Sequence, residues 1–196
     1  MGATERDESQ RQAFRERIAP RAAADFVVVD ECGSNTNLVA RYARAPRGER
    51  AYGSAPRNTG RNTTLIAALS LAGMGPAMTL AGATDTAAFV AYIEQVLAPT
   101  LIPGQIVLLD NLSAHKSERV RALIEARGCA LWYLPAYSPD LSPIEEAFSK
   151  LKALLRRAAA RTSEALEQAI AQALDRITAA DARGWFAHCG YHVQAH

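Results

Sequence analysis

The chain has 196 residues, enough for one well-filled core and too few for two comfortable domains. Hydrophobic residues make up 49% and charged residues 21%, an ordinary globular balance that excludes disorder along the whole length. A net charge of +2 with a pI near 8.5 cannot argue for nucleic acid by itself, and three widely spaced cysteines (Cys32, Cys129, Cys189) exclude a disulfide framework and fit a reducing, cytoplasmic compartment.

Residues 1–24 are polar and rich in Arg and Glu, without the apolar region of a secretory signal. They are expected to form a frayed or linking helix or a tail, with the folded domain over 25–196. Phe26-Val27-Val28-Val29 running into Asp30 predicts a buried strand that delivers one carboxylate to a sheet rim. An irregular basic stretch follows, with Arg41, Arg44, Arg47, Arg50, Arg57 and Arg61 and room for a short strand. Leu65 to Ala83 carries no charge and is long enough to raise a membrane span. Gly73-Met74-Gly75-Pro76 interrupts it, predicting instead a tight turn between buried strands Thr63–Ala72 and Ala77–Ala81 and no membrane partner.

A helix is predicted from Asp85 to Leu97, capped by Asp85 or Thr84, with Ala88, Phe89, Tyr92, Ile93 and Val96 on one apolar face. Gln105 to Leu109 is the fourth strand, and Asp110 closes it as Asp30 closes the first. Ser117 to Arg127 reads as a helix stopped by Gly128, Ala130 to Leu134 as a fifth strand, and Ser142 to Ala187 as two or three helices. This order fits an α/β fold, a mixed five-stranded sheet flanked by helices. Neighbouring parallel strands lie about 4.8 Å apart, so Asp30 and Asp110 can share a metal if the first and fourth strands are adjacent. With Glu145 opening the next helix, the three carboxylates form a set of hard oxygen ligands suited to Mg²⁺, and to a two-metal site for phosphoryl transfer.

Three segments carry a resemblance: Val-Val-Asp30-Glu; Leu-Leu-Asp110-Asn-Leu-Ser-Ala-His115-Lys-Ser; and Leu-Pro-Ala-Tyr-Ser-Pro-Asp-Leu-Ser-Pro-Ile-Glu145-Glu-Ala-Phe. With 34 residues between Asp110 and Glu145, the chain resembles the catalytic domain of mariner-like DDE transposases of the bacterial insertion-sequence branch, from about Phe26 to Tyr191. The resemblance implies a ribonuclease-H-like fold, Mg²⁺ or Mn²⁺ as cofactor with two ions, and cut-and-paste DNA transposition by strand cleavage and strand transfer. By position it assigns the catalytic, metal-holding triad to Asp30, Asp110 and Glu145. Implied partners are DNA, as element ends and as target, and a second copy in the active complex, acting at the bacterial nucleoid. About 25 residues precede the first strand, so the family's N-terminal helix-turn-helix region is expected to be absent. Its half would then be encoded separately, in a two-frame element, or have been lost by truncation or trimming.

Ser142-Pro143-Ile144-Glu145 also matches a capping box in which Glu145 turns back onto the Ser142 amide, leaving Glu146 as the third ligand. Glu31 competes with Asp30 but alternates to the opposite face. Asn111 and His115 are candidate supports of the site, with turn or capping roles as the structural alternative. His188-Cys189-Gly190-Tyr191-His192 lacks two further ligands for zinc. Lys150, Lys152, Arg156, Arg157 and Arg161 follow Glu145 and, with Arg41, Arg44, Arg47, Arg57 and Arg61, form a candidate DNA-binding track. Trp132, Tyr133 and Tyr137 are expected to support core or loops. Two other functions stay open: a different nuclease of the same fold, and a decayed, non-catalytic DNA-binding remnant.

Overall fold

The computed structural model describes residues 6–40, 42–54, 56–58, 60–111 and 116–194. Arg41 and His115, both named above as site candidates, lie outside them. Five strands form one sheet: β1 Phe26–Ser34, β2 Thr63–Ser70, β3 Gly73–Ala81, β4 Ile106–Leu109 and β5 Ala130–Tyr133. Their order is β3-β2-β1-β4-β5, antiparallel between β3, β2 and β1 and parallel between β1, β4 and β5. This is the mixed sheet that the succession of strands and helices predicts.

Side-chain alternation divides the core into two layers. Phe26, Val28, Ile106, Leu108 and Trp132 face a cluster built with α1 Glu8–Ile18, α4 Pro143–Ala158, α5 Ser163–Leu174 and α6 Ala179–His188. Val27, Val29, Val107, Leu109 and Leu131 face the other side, under α2 Thr86–Tyr92 and α3 Glu118–Glu125. Strands covered on both faces need no polar alternation, which is why their apolar runs are continuous. All three cysteines are buried and free.

Residues 8–18 form a helix, one of the forms expected of the N-terminal segment, but it is capped and packed and not frayed. Asp7 accepts from the backbone N–H groups of Ser9 and Gln10 and caps α1, and Phe14 and Ile18, four residues apart, enter the core. Gly73-Met74-Gly75-Pro76 is not a turn either. The chain reverses at Leu71-Ala72, and Ser70 pairs with Gly73. The irregular residues lie inside β3, where the register shifts opposite Ala67 to Leu69. A proline is tolerated on an edge strand at a bulge, where no ladder N–H is required of it, and the Pro76 carbonyl accepts from the Tyr92 hydroxyl at 2.8 Å.

The expected helix from Asp85 is capped by that residue but changes winding, from α over Thr86–Tyr92 to π over Ile93–Leu97 and 3₁₀ over Ala98–Thr100. The wider π turn slips the apolar stripe, so Leu97 is fully buried while Val96 is only partly so. The basic stretch from 35 to 62 forms no strand among its described residues, and Arg44, Arg47, Arg50, Arg57 and Arg61 are exposed. No helix of the described residues is long and apolar enough to cross a membrane.

The last helices fill the span predicted for them. α4 ends at Ala159, a non-glycine residue at φ 49° in the left-handed region. Glycine meets no Cβ penalty there, so Ala159→Gly is expected to raise stability by about 0.5–1 kcal/mol, measured as a higher thermal midpoint with unchanged helical circular dichroism.

Candidate active site

The site begins with register. Val28 of β1 pairs with Leu108 of β4, so two residues further along each parallel strand bring Asp30 and Asp110 side by side on the same face. β4 stops at Leu109, whereas β1 continues to Ser34 paired only with β2, where Asp30 opposes Ala67. Asp30 is therefore inside a strand, not at its end as expected, and sits at the fork where the parallel pair separates. The face it shares with Asp110 is the one covered by α4, whose first turn carries Glu145. A single cleft of about 390 Å³ is lined by Asp30, Asp110, Asn111 and Glu145, with Leu134, Tyr137, Pro139 and Ser142 among the other walls.

Electrostatics mark Asp30 within this group. It is half-buried, and its carboxyl is pushed up to about 7, first by desolvation and then by the charges of Asp110, Glu145 and Glu31, against the Glu31 N–H donated to Oδ1 at 2.7 Å. A buried carboxyl with other carboxylates close enough to raise it marks a site with excess negative charge, which a divalent cation relieves. The donor set fits such an ion, being all hard oxygen. Among the described residues no three Asp, Glu, His or Cys side chains already form a closed metal-binding cluster.

The alternative arrangement of α4 is not observed. Ser142 makes no side-chain cap bond, and its backbone N–H donates to the Pro139 carbonyl at 3.0 Å, so Glu145 is not engaged in a capping box. Glu145 faces the cleft. Glu146, about 100° further round the helix, contacts His188 Nδ1 of α6 at 2.8 Å. That contact also explains the His-Cys tail: His188 ties α6 to α4.

The basic track is only partly where sequence places it. Lys150 Nζ donates to Asp181 of α6 at 2.5 Å and is directed away from the cleft. Arg161 lies beyond the end of α4 and donates to the Thr36 and Leu38 carbonyls, tethering the base of the basic stretch. Lys152, seven residues after Glu145, shares its helical face and lies close enough to Cys32 to lower that thiol against burial. Arg156 lies near the same face, and Arg157 is on the Glu146 side.

Trp132 is a core residue, packed edge-on to Phe26 and covered by the Arg17 guanidinium at 3.6 Å from the ring centre. Tyr133 is partly buried beside Arg121. Tyr137 does not support the core: it is 58% exposed, has φ 53° and lines the acidic cleft. Sequence reasoning missed Arg11, whose role depends on a partner, Asp140, in the turn Pro139–Leu141 that precedes α4.

A family model described as DDE superfamily endonuclease matches residues 25–167. No curated protein sequence matches the chain. Among solved structures, the Mos1 transposase paired-end complex with left transposon end is similar with a TM-score of 0.74 and 19% identity, over 97% of this chain and 62% of that one. The Mos1 strand transfer complex gives 0.71 and 20%, over 93% and 57%. The Mos1 transposase catalytic domain with raltegravir and Mg gives 0.61 and 17%, over 99% and 100%. This chain thus spans 62% of the length of the first of these structures. At such identities the likeness establishes the fold, a ribonuclease-H-like sheet flanked by helices.

Proposed function

We propose, from the premise that this chain belongs to the DDE superfamily of endonucleases, that it is the catalytic domain of a transposase, cleaving DNA strands and transferring the freed end to a target. The observation that carries this reading is that Asp30 and Asp110, each two residues past the Val28–Leu108 pair, share one cleft with Glu145. These three carboxylates would hold two Mg²⁺ or Mn²⁺ ions, which when bound supply Lewis-acid stabilisation of the attacking and leaving oxygens at phosphorus.

The chain's own residues do the rest. β1 carries Asp30 and the end of β4 delivers Asp110, each two residues past the last pair of the parallel ladder, and α4 brings the third carboxylate. Lys152 and Arg156, near the Glu145 face, are placed to neutralise phosphates next to the scissile bond. Arg44, Arg47, Arg57 and Arg61 lie on an exposed stretch held at its base by Arg161, well suited to follow a DNA backbone without reading its sequence. The Ser138 hydroxyl donates to the Ala136 carbonyl at 3.1 Å and is engaged as a turn residue, not activated as a nucleophile. Water attacks first, and the released 3′-hydroxyl attacks second. The partners in this reading are element ends, a target duplex, a second copy of the chain, and a helix-turn-helix half that recognises terminal repeats.

The test supplies the chain with such a half, an element-end duplex and Mg²⁺ or Mn²⁺. Cleavage leaving a 3′-hydroxyl and covalent joining of that end to target DNA are expected. Full activity in EDTA, or a trapped protein–DNA adduct, overturns the mechanism. Cleavage without any joined product favours another nuclease of the same fold.

A further inference from the structure

Arg11 is fully buried, unusual for a charged residue on an 11-residue helix. Its Nη1 donates to Asp140 Oδ1 at 3.0 Å and its Nη2 to Asp140 Oδ2 at 2.6 Å, a two-pronged pair that fixes orientation as well as distance. Nε contacts Glu8 at 3.2 Å. Asp140, roughly half exposed, is held below the usual carboxylate range chiefly by the Arg11 hydrogen bond. It belongs to the 3₁₀ turn Pro139–Leu141, which leads directly into α4. From there the chain is bonded step by step: Leu141 N–H to Ser138 O at 3.0 Å, Ser142 N–H to Pro139 O at 3.0 Å, and Glu145 N–H to Ser142 O at 3.2 Å.

α4 has no side-chain cap of its own, because Ser142 makes none. Its first turn is therefore oriented by whatever grips the preceding residues. Three described side chains do so: Arg11 through Asp140 by the short two-pronged pair, Arg6 through the same carboxylate at 3.4 Å, and the Tyr191 hydroxyl, which donates to the Leu141 carbonyl at 2.9 Å. We infer that Arg11 is a positioning residue for Glu145, acting through Asp140 and the Pro139–Leu141 turn, so that α1 is a working part of the catalytic unit. Burying the Arg11 charge costs desolvation and is weak evidence of a stabilising role, whereas fixing a unique geometry is a use that paired charges do serve. The inference rests on the reading of Glu145 as a metal-holding carboxylate, and its test separates the two.

Arg11→Met keeps an apolar stem in the buried channel and leaves Asp140 to water and to the longer, partly exposed Arg6 contact at 3.4 Å, which has no two-pronged geometry. The full chain and this variant are compared by amide hydrogen exchange, with circular dichroism to check the fold. Residues 140–147 should exchange at least about tenfold faster in the variant, the size of a local opening, while 151–158 of α4 stay unchanged. Mn²⁺ titrations without DNA supply the second arm. Glu145→Gln should weaken Mn²⁺ binding, Arg11→Met should weaken it about tenfold, and the double variant should be no weaker than Glu145→Gln alone, as for two changes acting through one group. Unchanged exchange at 140–147, or additive losses in the double variant, overturns the inference. Faster exchange together with normal Mn²⁺ binding by Glu145→Gln upholds Arg11 as the grip on the turn and overturns the metal role of Glu145. If Arg11→Met does not fold, Arg11→Lys, which keeps the charge and loses the two-pronged fork, carries both arms with the same outcomes.

Discussion

Alanine at any one of Asp30, Asp110 or Glu145 is expected to remove metal-dependent strand cleavage by about a thousandfold or more while leaving the fold intact, with the double variants scarcely worse than the singles. The near-equality follows from the geometry. Asp30 and Asp110 are two residues past a common pairing point, and Glu145 closes the same cleft, so the acids act as one ligand set and losing any member dismantles it. Folding should tolerate the changes because none of the three side chains belongs to either apolar layer. Single-turnover cleavage of an element-end duplex measures the first claim, and thermal melts the second. A Glu145→Ala protein that cleaves normally would transfer the third role to Glu146, even though Glu146 contacts His188.

The metal-free chain should also lose stability as pH rises. The carboxyl of Asp30 is raised in the folded protein from 3.8 to about 7, so between roughly pH 4 and 7 the native state holds a proton that the unfolded chain has released. By linkage, this group's contribution falls across that window and stays low above it. Each pKa unit corresponds to about 1.4 kcal/mol, so the full shift is of order a few kcal/mol, reduced by water at a half-buried site. Asp30→Asn removes the charge and should melt higher than wild type in chelator at pH 8, with the difference shrinking toward pH 4. Mg²⁺ should reverse the order by stabilising only the wild type, and its binding should release protons near pH 7. Equal melting temperatures for the two proteins at pH 8 in EDTA would mean that burial and the neighbouring carboxylates do not destabilise the Asp30 charge.

That the acids line one cleft was legible because each sits where an apolar run ends: Val29 into Asp30, Leu109 into Asp110, and a Ser-Pro helix start before Glu145. Strand pairing and helix position were the only steps left. What escaped depends on partners far away in sequence. The apolar residues that α1 buries are only Phe14 and Ile18 amid charges, and its third buried residue is Arg11, whose partner lies 129 positions on. Lys150 reads as a free cation until Asp181 is brought beside it, and Arg161 as part of a helix until the chain turns at Ala159. Gly73 to Pro76 signalled irregular backbone correctly, but a bulge on an edge strand and a hairpin turn use the same residues.

The separation of β1 from β4 at the acidic cleft makes the two aspartates unequal. Asp30 is clamped by a strand that continues in ladder pairing to Ser34, while Asp110 rides on the end of a strand that has just stopped. One carboxylate is thus an anchor with a fixed origin, and the other sits on a pivot. In the proposed cleavage and strand transfer, where the distance between attacking and leaving oxygens changes from one reaction to the next, adjustment would fall on the Asp110 side without disturbing the sheet.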